Sequence, residues 1–201
     1  MVDEFLDTVA AVAADMAVHT SLARADCVML SAGGSAFFDR VVEKFRYGTR
    51  LDAPVHVVLR SGCYVTQDGG FYAQMSPLHG RAADKATLEN ALEVWGAVLS
   101  RPEPDFVVTS VGRRDCSYDQ GLPTPSLTAV PGASPTVWQG AATVGMSDQH
   151  THIGIESTWE VKVGDLVGFV VSHPCSTFEK WKVLPVVDDD YRVVDAVLTA
   201  F

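Results

Sequence analysis

DCVMLSAGGSAFFDRVVEKFRY, residues 26–47, is the stretch that decides how the chain begins to fold. Residues 26–31 form a short apolar run of strand character. Gly33-Gly34-Ser35 then break it and open a helical pattern running to about Tyr47. Strand, glycine turn and helix in that order make one βα step of a parallel barrel. Upstream, Phe5, Val9, Val12 and Met16 repeat at helical spacing behind Asp3, a candidate N-cap, which predicts a helix over about 4–22. A helix–strand–helix cannot close a barrel, because a lone strand leaves backbone groups unpaired on both edges.

The periodicity changes after Asp52-Ala53-Pro54. Short strands are expected at 56–59, 92–99, 106–111, 142–146, 153–155, 166–172, 182–187 and 192–199, separated by Gly, Pro and Asp turns. Asp188-Asp189-Asp190 reads as a hairpin tip. The tract 120–140 carries Pro123, Pro125, Pro131 and Pro135 and reads as a long surface loop. The expected fold is therefore mainly β with an N-terminal α/β piece. An antiparallel β domain over 51–201 follows the last βα part of an incomplete TIM-type barrel over 1–50.

Ser172-His173-Pro174-Cys175 carries the sharpest chemical signal. In an extended segment residues i and i+2 share a face, so the His173 imidazole and the Cys175 thiol can reach one metal ion. Nitrogen plus thiolate suits a borderline-soft divalent ion, with zinc first and manganese or magnesium as alternatives. Two protein ligands leave such an ion open to water or substrate. The competing reading is a buried thiol beside a hydrogen-bonded histidine.

Composition bounds the setting. The 201-residue chain is 47% hydrophobic, enough to bury a core, and its formal charge of −10 argues against a nucleic-acid partner. No apolar run is long enough to span a membrane, and the acidic start MVDEFLDTVAAVAADM does not read as a signal peptide. Cys27, Cys63, Cys116 and Cys175 are far apart and fit reduced thiols in a cytoplasmic protein.

The motifs LSAGGSAFFDRV (30–41), LRSGCYVTQDGGFY (59–72), GRRDCSYDQGLPTP (112–125), DQH (148–150) and VGDLVGFVVSHPCSTFEKW (163–181) follow one another in an order and spacing that resembles a known family. The chain looks like the C-terminal half of the D-serine dehydratase and D-threonine aldolase family, which comprises pyridoxal-phosphate enzymes of the alanine-racemase fold type. It is most similar to the bacterial amino acid deaminase branch. The resemblance implies a lyase acting on small β-hydroxy D-amino acids, most readily a D-serine or D-threonine dehydratase releasing a keto acid and ammonia. Alternatives are a D-threonine aldolase-type lyase or a non-catalytic β interaction domain. It further implies pyridoxal phosphate as cofactor, a homodimer, and an N-terminal barrel half that bears the cofactor-binding lysine. Lys44, Lys85, Lys162, Lys180 and Lys182 do not match that lysine's position. The chain alone is therefore expected to be inactive.

Site residues follow from the same resemblance. The cofactor phosphate is expected at Gly33, Gly34 and Ser35, a position that physics also favours, because backbone N–H groups at a helix start attract anions. Tyr64, in the family's Gly-x-Tyr segment, is expected near cofactor or substrate. His150 is expected as a proton relay or a supporting group near the site, and His173 and Cys175 as metal ligands. Asp148, His150 and His152 alternate and make a rival metal set. Arg113, Arg114, Asp115 and Asp119 admit either a substrate-carboxylate grip or structural ion pairs.

Overall fold

The computed structural model describes residues 1–19, 25–49, 51–82 and 87–200. The chain forms two compact units. One comprises residues 1–64 and 75–87, the other 65–74 and 88–201.

The first unit is built on a parallel strand pair. Helix α1 (Val2–His19) precedes strand β1 (Val28–Gly33). After Gly34 the chain turns through a 3-10 segment (Ser35–Phe37), helix α2 (Phe38–Val41) and a π-type continuation (Val42–Tyr47) before β2 (Val55–Arg60). β2 pairs parallel with β1 in the register Val28↔Val55 to Gly33↔Arg60, completing a βαβ unit. The expected division at residue 50 thus falls inside that unit, and the 56–59 strand belongs with the barrel-like piece. Its pairing partner was not visible in its own periodicity.

Two details of α1 also differ from expectation. Asp3 lies in its first turn and does not precede it. The buried stripe is Val2, Leu6, Val9 and Ala13, packing on Val28, Leu30, Val41 and Phe45, while Phe5, Val12 and Met16 face outward. The end of the expected helix, residues 20–22, lies outside the described residues. Lys44 donates to Asp7 at 2.7 Å and ties α1 to the π-type segment.

The second unit is antiparallel. After helix α3 (Phe71–Met75) come β3 (Glu93–Glu103), β4 (Phe106–Thr109), β5 (Thr124–Ala129), β6 (Thr136–Val137), β7 (Ala142–Met146), β8 (Thr151–Gly154) and β9 (Leu166–Val170). They form one seven-stranded sheet in the order β6-β5-β9-β3-β4-β8-β7. Helix α4 (Pro174–Phe178) and the hairpin β10 (Val183–Val187) and β11 (Val193–Leu198) follow. Alternating strand residues Val94, Val98, Val107, Ile153, Val167 and Phe169 meet Trp138, Val111 and Val171 in the core.

β5 overturns the reading of 120–140 as loop. Pro125 is admitted because β6 pairs with β5 only at Leu127 and Thr128, so no N–H is demanded of Pro125 on that side. A register shift between Pro125 and Leu127 absorbs the irregularity against β9. The tip at Asp188 behaves as expected, its N–H bonding to the Arg192 carbonyl at 3.0 Å.

Candidate functional site

Antiparallel pairing brings one set of strand ends to a common rim in the second unit. Glu93 lies opposite Val170, Val170 opposite Thr124, and Thr109 opposite Thr151. The loops 110–123, 147–150 and 171–177 all leave the sheet at this rim. His173 and Cys175 therefore sit on the same edge as the 112–125 and 148–150 motifs.

The local geometry departs from a simple extended i, i+2 pair. His173 is close to extended (φ −147°, ψ 87°), but α4 starts at Pro174, so Cys175 lies in its first turn. Proline at the first helical position explains the start, since its fixed φ suits the helix and its missing N–H is not needed there. Cys175 is exposed and His173 half-buried.

His173 is held by the 115–121 loop. Its Nδ1 lies 2.7 Å from Asp119 Oδ2, and the Ser176 hydroxyl donates to Asp119 Oδ1 at 3.1 Å. The His173 N–H donates to Ser117 Oγ at 3.2 Å, and the Ser117 N–H donates to Thr177 Oγ1 at 3.0 Å. Ser172 Oγ donates to the Gly121 carbonyl at 2.6 Å. Ser117 and Thr177 are buried, so these bonds satisfy groups that would otherwise be costly. Desolvation works upward on the Asp119 carboxyl, yet hydrogen bonds from His173, its own backbone and Ser176 hold it below its ordinary value.

A second loop braces the same strand end. The Gly69 N–H donates to the Val171 carbonyl at 2.9 Å, and a Cβ on Gly70 would stand 2.6 Å from Ser172 Cβ. Buried Asp68 shapes this loop through Oδ1, which accepts the N–H groups of Gly70, Tyr72 and Ala73. Its carboxyl is held above the ordinary value. Desolvation outweighs these three bonds and the charge of His173.

The other expected residues fall as follows. His150 is half-buried in the β7–β8 turn, where its carbonyl accepts the Ser147 N–H at 2.8 Å. That turn packs on Gly112, and the N–H groups of Arg113 and Arg114 donate to the Ser147 and Asp148 carbonyls. Arg114 lies 3.5 Å from Asp148, and Arg113 stacks over the Tyr118 ring at 5.1 Å. His152 is half-buried with its ring 5.7 Å from that of Phe106. Among the described residues no three His, Cys, Asp or Glu side chains form a ready metal cage. The rival set Asp148/His150/His152 is therefore not assembled among the described residues.

In the first unit, the glycine turn and Tyr64 both follow the C-terminal ends of the parallel strands, where α/β folds place ligands. Tyr64 is part-exposed and packs on Phe38 with ring centroids 5.6 Å apart. Gly34 has φ +99° and caps the following helical turn without any side-chain hydrogen bond. Its N-terminal amides thus face no capping side chain, which suits an anionic group such as a cofactor phosphate. Neither β1 (VMLSAG) nor β2 (VHVVLR) carries a lysine.

The metal expectation fits the donor chemistry of the second unit. With Nδ1 engaged by a carboxylate, Nε2 of His173 is left to coordinate, and the Cys175 thiol is accessible. Asp119 and Ser117 were not foreseen as partners of His173. They lie over fifty positions away, and only the shared motif order hinted at a common site.

Comparison with known proteins bears on the fold. Residues 91–187 match the putative serine dehydratase domain family. No curated protein sequence matches the chain significantly. Among solved structures, D-threonine aldolase from Filomicrobium marinum superposes with TM-score 0.65 at 23% identity, over 93% of this chain and 46% of that one. D-threo-3-hydroxyaspartate dehydratase from Delftia sp. HT23 gives 0.57 at 17%, over 95% and 50%. An alanine-racemase-like protein from Idiomarina loihiensis gives 0.54 at 17%, over 88% and 45%. At these identities the likeness carries the fold, and the chain spans about half the length of these structures. Among the described residues no helix is long and apolar enough to cross a membrane.

Proposed function

We propose, from residues 91–187 belonging to the serine dehydratase domain family, that this chain is the C-terminal part of a pyridoxal-phosphate- and metal-dependent lyase for β-hydroxy D-amino acids. Dehydration of D-serine or D-threonine to keto acid and ammonia is the favoured reaction. The observation that carries the reading is the His173–Asp119 pair beside exposed Cys175, inside the family segment. A cysteine-to-alanine mutant of a D-threo-3-hydroxyaspartate dehydratase of similar fold is described in a metal-free form, which supports a metal role for a cysteine in this fold.

His173 and Cys175 would hold the ion, zinc for preference, and it would act as a Lewis acid toward the substrate's β-oxygen. Gly33, Gly34 and Ser35 would hold the cofactor phosphate through backbone N–H groups, with Tyr64 beside them. The cofactor supplies an electron sink for the substrate's α-carbon. The chain's own residues bind and orient. Asp119 sets the His173 ring, the 147–150 turn carries His150 as a proton-relaying group, and Tyr64 offers a phenol for hydrogen bonding. Proton transfer at the α-carbon needs a positioned base, and the strands β1 and β2 supply no lysine for it. The lysine and the remaining barrel belong to a segment beyond these residues. The complete enzyme is read as a cytoplasmic homodimer, and the chain by itself as inactive.

Zinc titration of the purified chain tests the reading. One zinc per chain, lost in both His173→Ala and Cys175→Ala, is expected. A chain that binds no zinc would favour the non-catalytic β-domain alternative. For the complete enzyme, keto acid from D-threonine marks dehydration, whereas glycine and acetaldehyde mark aldol cleavage. The cysteine at position 175 favours the former, because the aldolases of the resembled family tend to carry aspartate there.

A further inference from the structure

Two hydrogen-bonded segments meet at His173, and among the described residues only its Nδ1 ring atom has a partner. The imidazole Nδ1 faces Asp119 Oδ2 at 2.7 Å. A carboxylate at neutral pH is acceptor-only, so the proton of that contact belongs to Nδ1. Free imidazole favours the other tautomer, with the proton on Nε2. The arrangement therefore opposes the ring's own preference and turns a lone pair outward on Nε2.

Asp119 is itself fixed. Ser176, one residue beyond Cys175, donates its hydroxyl to the second carboxylate oxygen at 3.1 Å. The loop bearing Asp119 is clamped to α4 by the buried Ser117–Thr177 pair, joined through both the Ser117 amide and the two hydroxyls. Ser172 closes the other side by donating to Gly121. The carboxylate leaves His173 only by giving up its bond to Ser176 as well.

We propose that Asp119 is the positioning residue of this site: it holds His173 in the Nδ1–H tautomer before any ion arrives, with Ser176 locking the carboxylate in place. The inference rests on the reading of His173 as a metal ligand for its purpose, but the tautomer is a property of the metal-free chain and is tested without metal. Asp119 acts through the His173 ring. Its role is to prepay the orientation of the ring, as carboxylates behind metal-binding histidines commonly do.

The experiment uses the whole 201-residue chain with ¹⁵N-labelled histidine. Long-range proton–nitrogen spectra of the metal-free protein, at a pH where His173 is neutral, distinguish protonated from bare ring nitrogens. Wild type should show Nδ1 protonated and Nε2 bare at His173. Asp119→Asn keeps size and shape but adds a donor, and should shift the ring toward Nε2–H. It should also weaken zinc binding by about tenfold to a hundredfold, the usual cost of losing such a partner. Asp119→Glu should recover part of that affinity. Ser176→Ala should give a smaller loss in the same direction with an unchanged fold. An Nε2–H ring in the wild type, or an unchanged tautomer in Asp119→Asn, would overturn the proposal. If the wild type shows the Nδ1–H ring yet binds no zinc, the positioning role stands and the metal reading falls.

Discussion

The two units carry the two expected halves of the chemistry on very different foundations. Among the described residues the parallel unit buries six core residues around two strands, whereas the antiparallel unit buries fourteen around seven. The glycine turn stands on the thin unit, beside strands whose outward residues Met29 and Val58 remain exposed. His173 stands on the thick one, inside a hydrogen-bonded rim. A site that must orient a directional ligand needs rigid surroundings. A phosphate held by backbone amides asks only for an open turn.

The largest expected effects are in the cores. Phe169→Ala should cost about 3–5 kcal/mol and strip amide protection from β3, β5 and β9. Phe45→Ala should cost a similar amount but act on the α1, β1 and β2 amides alone. Residue-resolved hydrogen exchange checks both. Loss of protection in β4 and β8 from Phe45→Ala would show that the units unfold together.

Glycines sharpen the contrast at an intermediate scale. A Cβ on Gly112 would stand 2.4 Å from the Asp148 carbonyl oxygen and the Gln149 Cα, both main-chain atoms. Gly112→Ala should therefore cost about 1–3 kcal/mol and perturb the 147–150 turn. Gly62, in the first unit, has nothing within 4 Å of an added Cβ. Gly62→Ala should change stability by about 0.5 kcal/mol at most. Chemical denaturation of the two variants makes the comparison.

The smallest effect is electrostatic, and its sign differs between Asp39 of the first unit and Asp68 of the second. In the first, Asp39 accepts both a hydrogen bond at 3.0 Å and an ion pair at 2.8 Å from Arg81. Desolvation works against ionisation, but Arg81 prevails and holds the carboxyl below its ordinary value. That contribution is present above the unfolded value and lost as pH falls through the folded one. Asp68, in the second unit, is held above its ordinary value by desolvation. Its folded form takes up protons first, so stability falls as pH rises through the window above the unfolded value. Acidification should loosen the α1–β2 unit while relieving the Asp68 loop. Asp68→Asn should remove the second trend only, as pH-dependent hydrogen exchange would show.

Much of this was legible in the chain. Strands 142–146 and 166–170 stood out through alternation and flanking glycines, and Asp188–Asp190 through turn chemistry. β5 was hidden because prolines normally forbid a paired strand, and only its lopsided pairing with β6 and β9 makes Pro125 acceptable. The outward Phe5, Val12 and Met16 of α1 misled the choice of buried face, since apolar residues ring that helix. At the site, His173 and Cys175 were visible as a local pattern. Asp119 was visible as a motif residue but not as their neighbour, because 54 positions separate it from His173 and sheet topology alone brings them together.

The most direct test of the account is the coordination shell of zinc on the wild-type chain, measured by X-ray absorption at the zinc edge. One sulfur at about 2.3 Å and at least one imidazole nitrogen at about 2.0 Å are predicted, with the sulfur lost in Cys175→Ala and the imidazole lost in His173→Ala. A shell of oxygen alone, or one unchanged by both substitutions, would contradict the assignment of His173 and Cys175 as the metal pair.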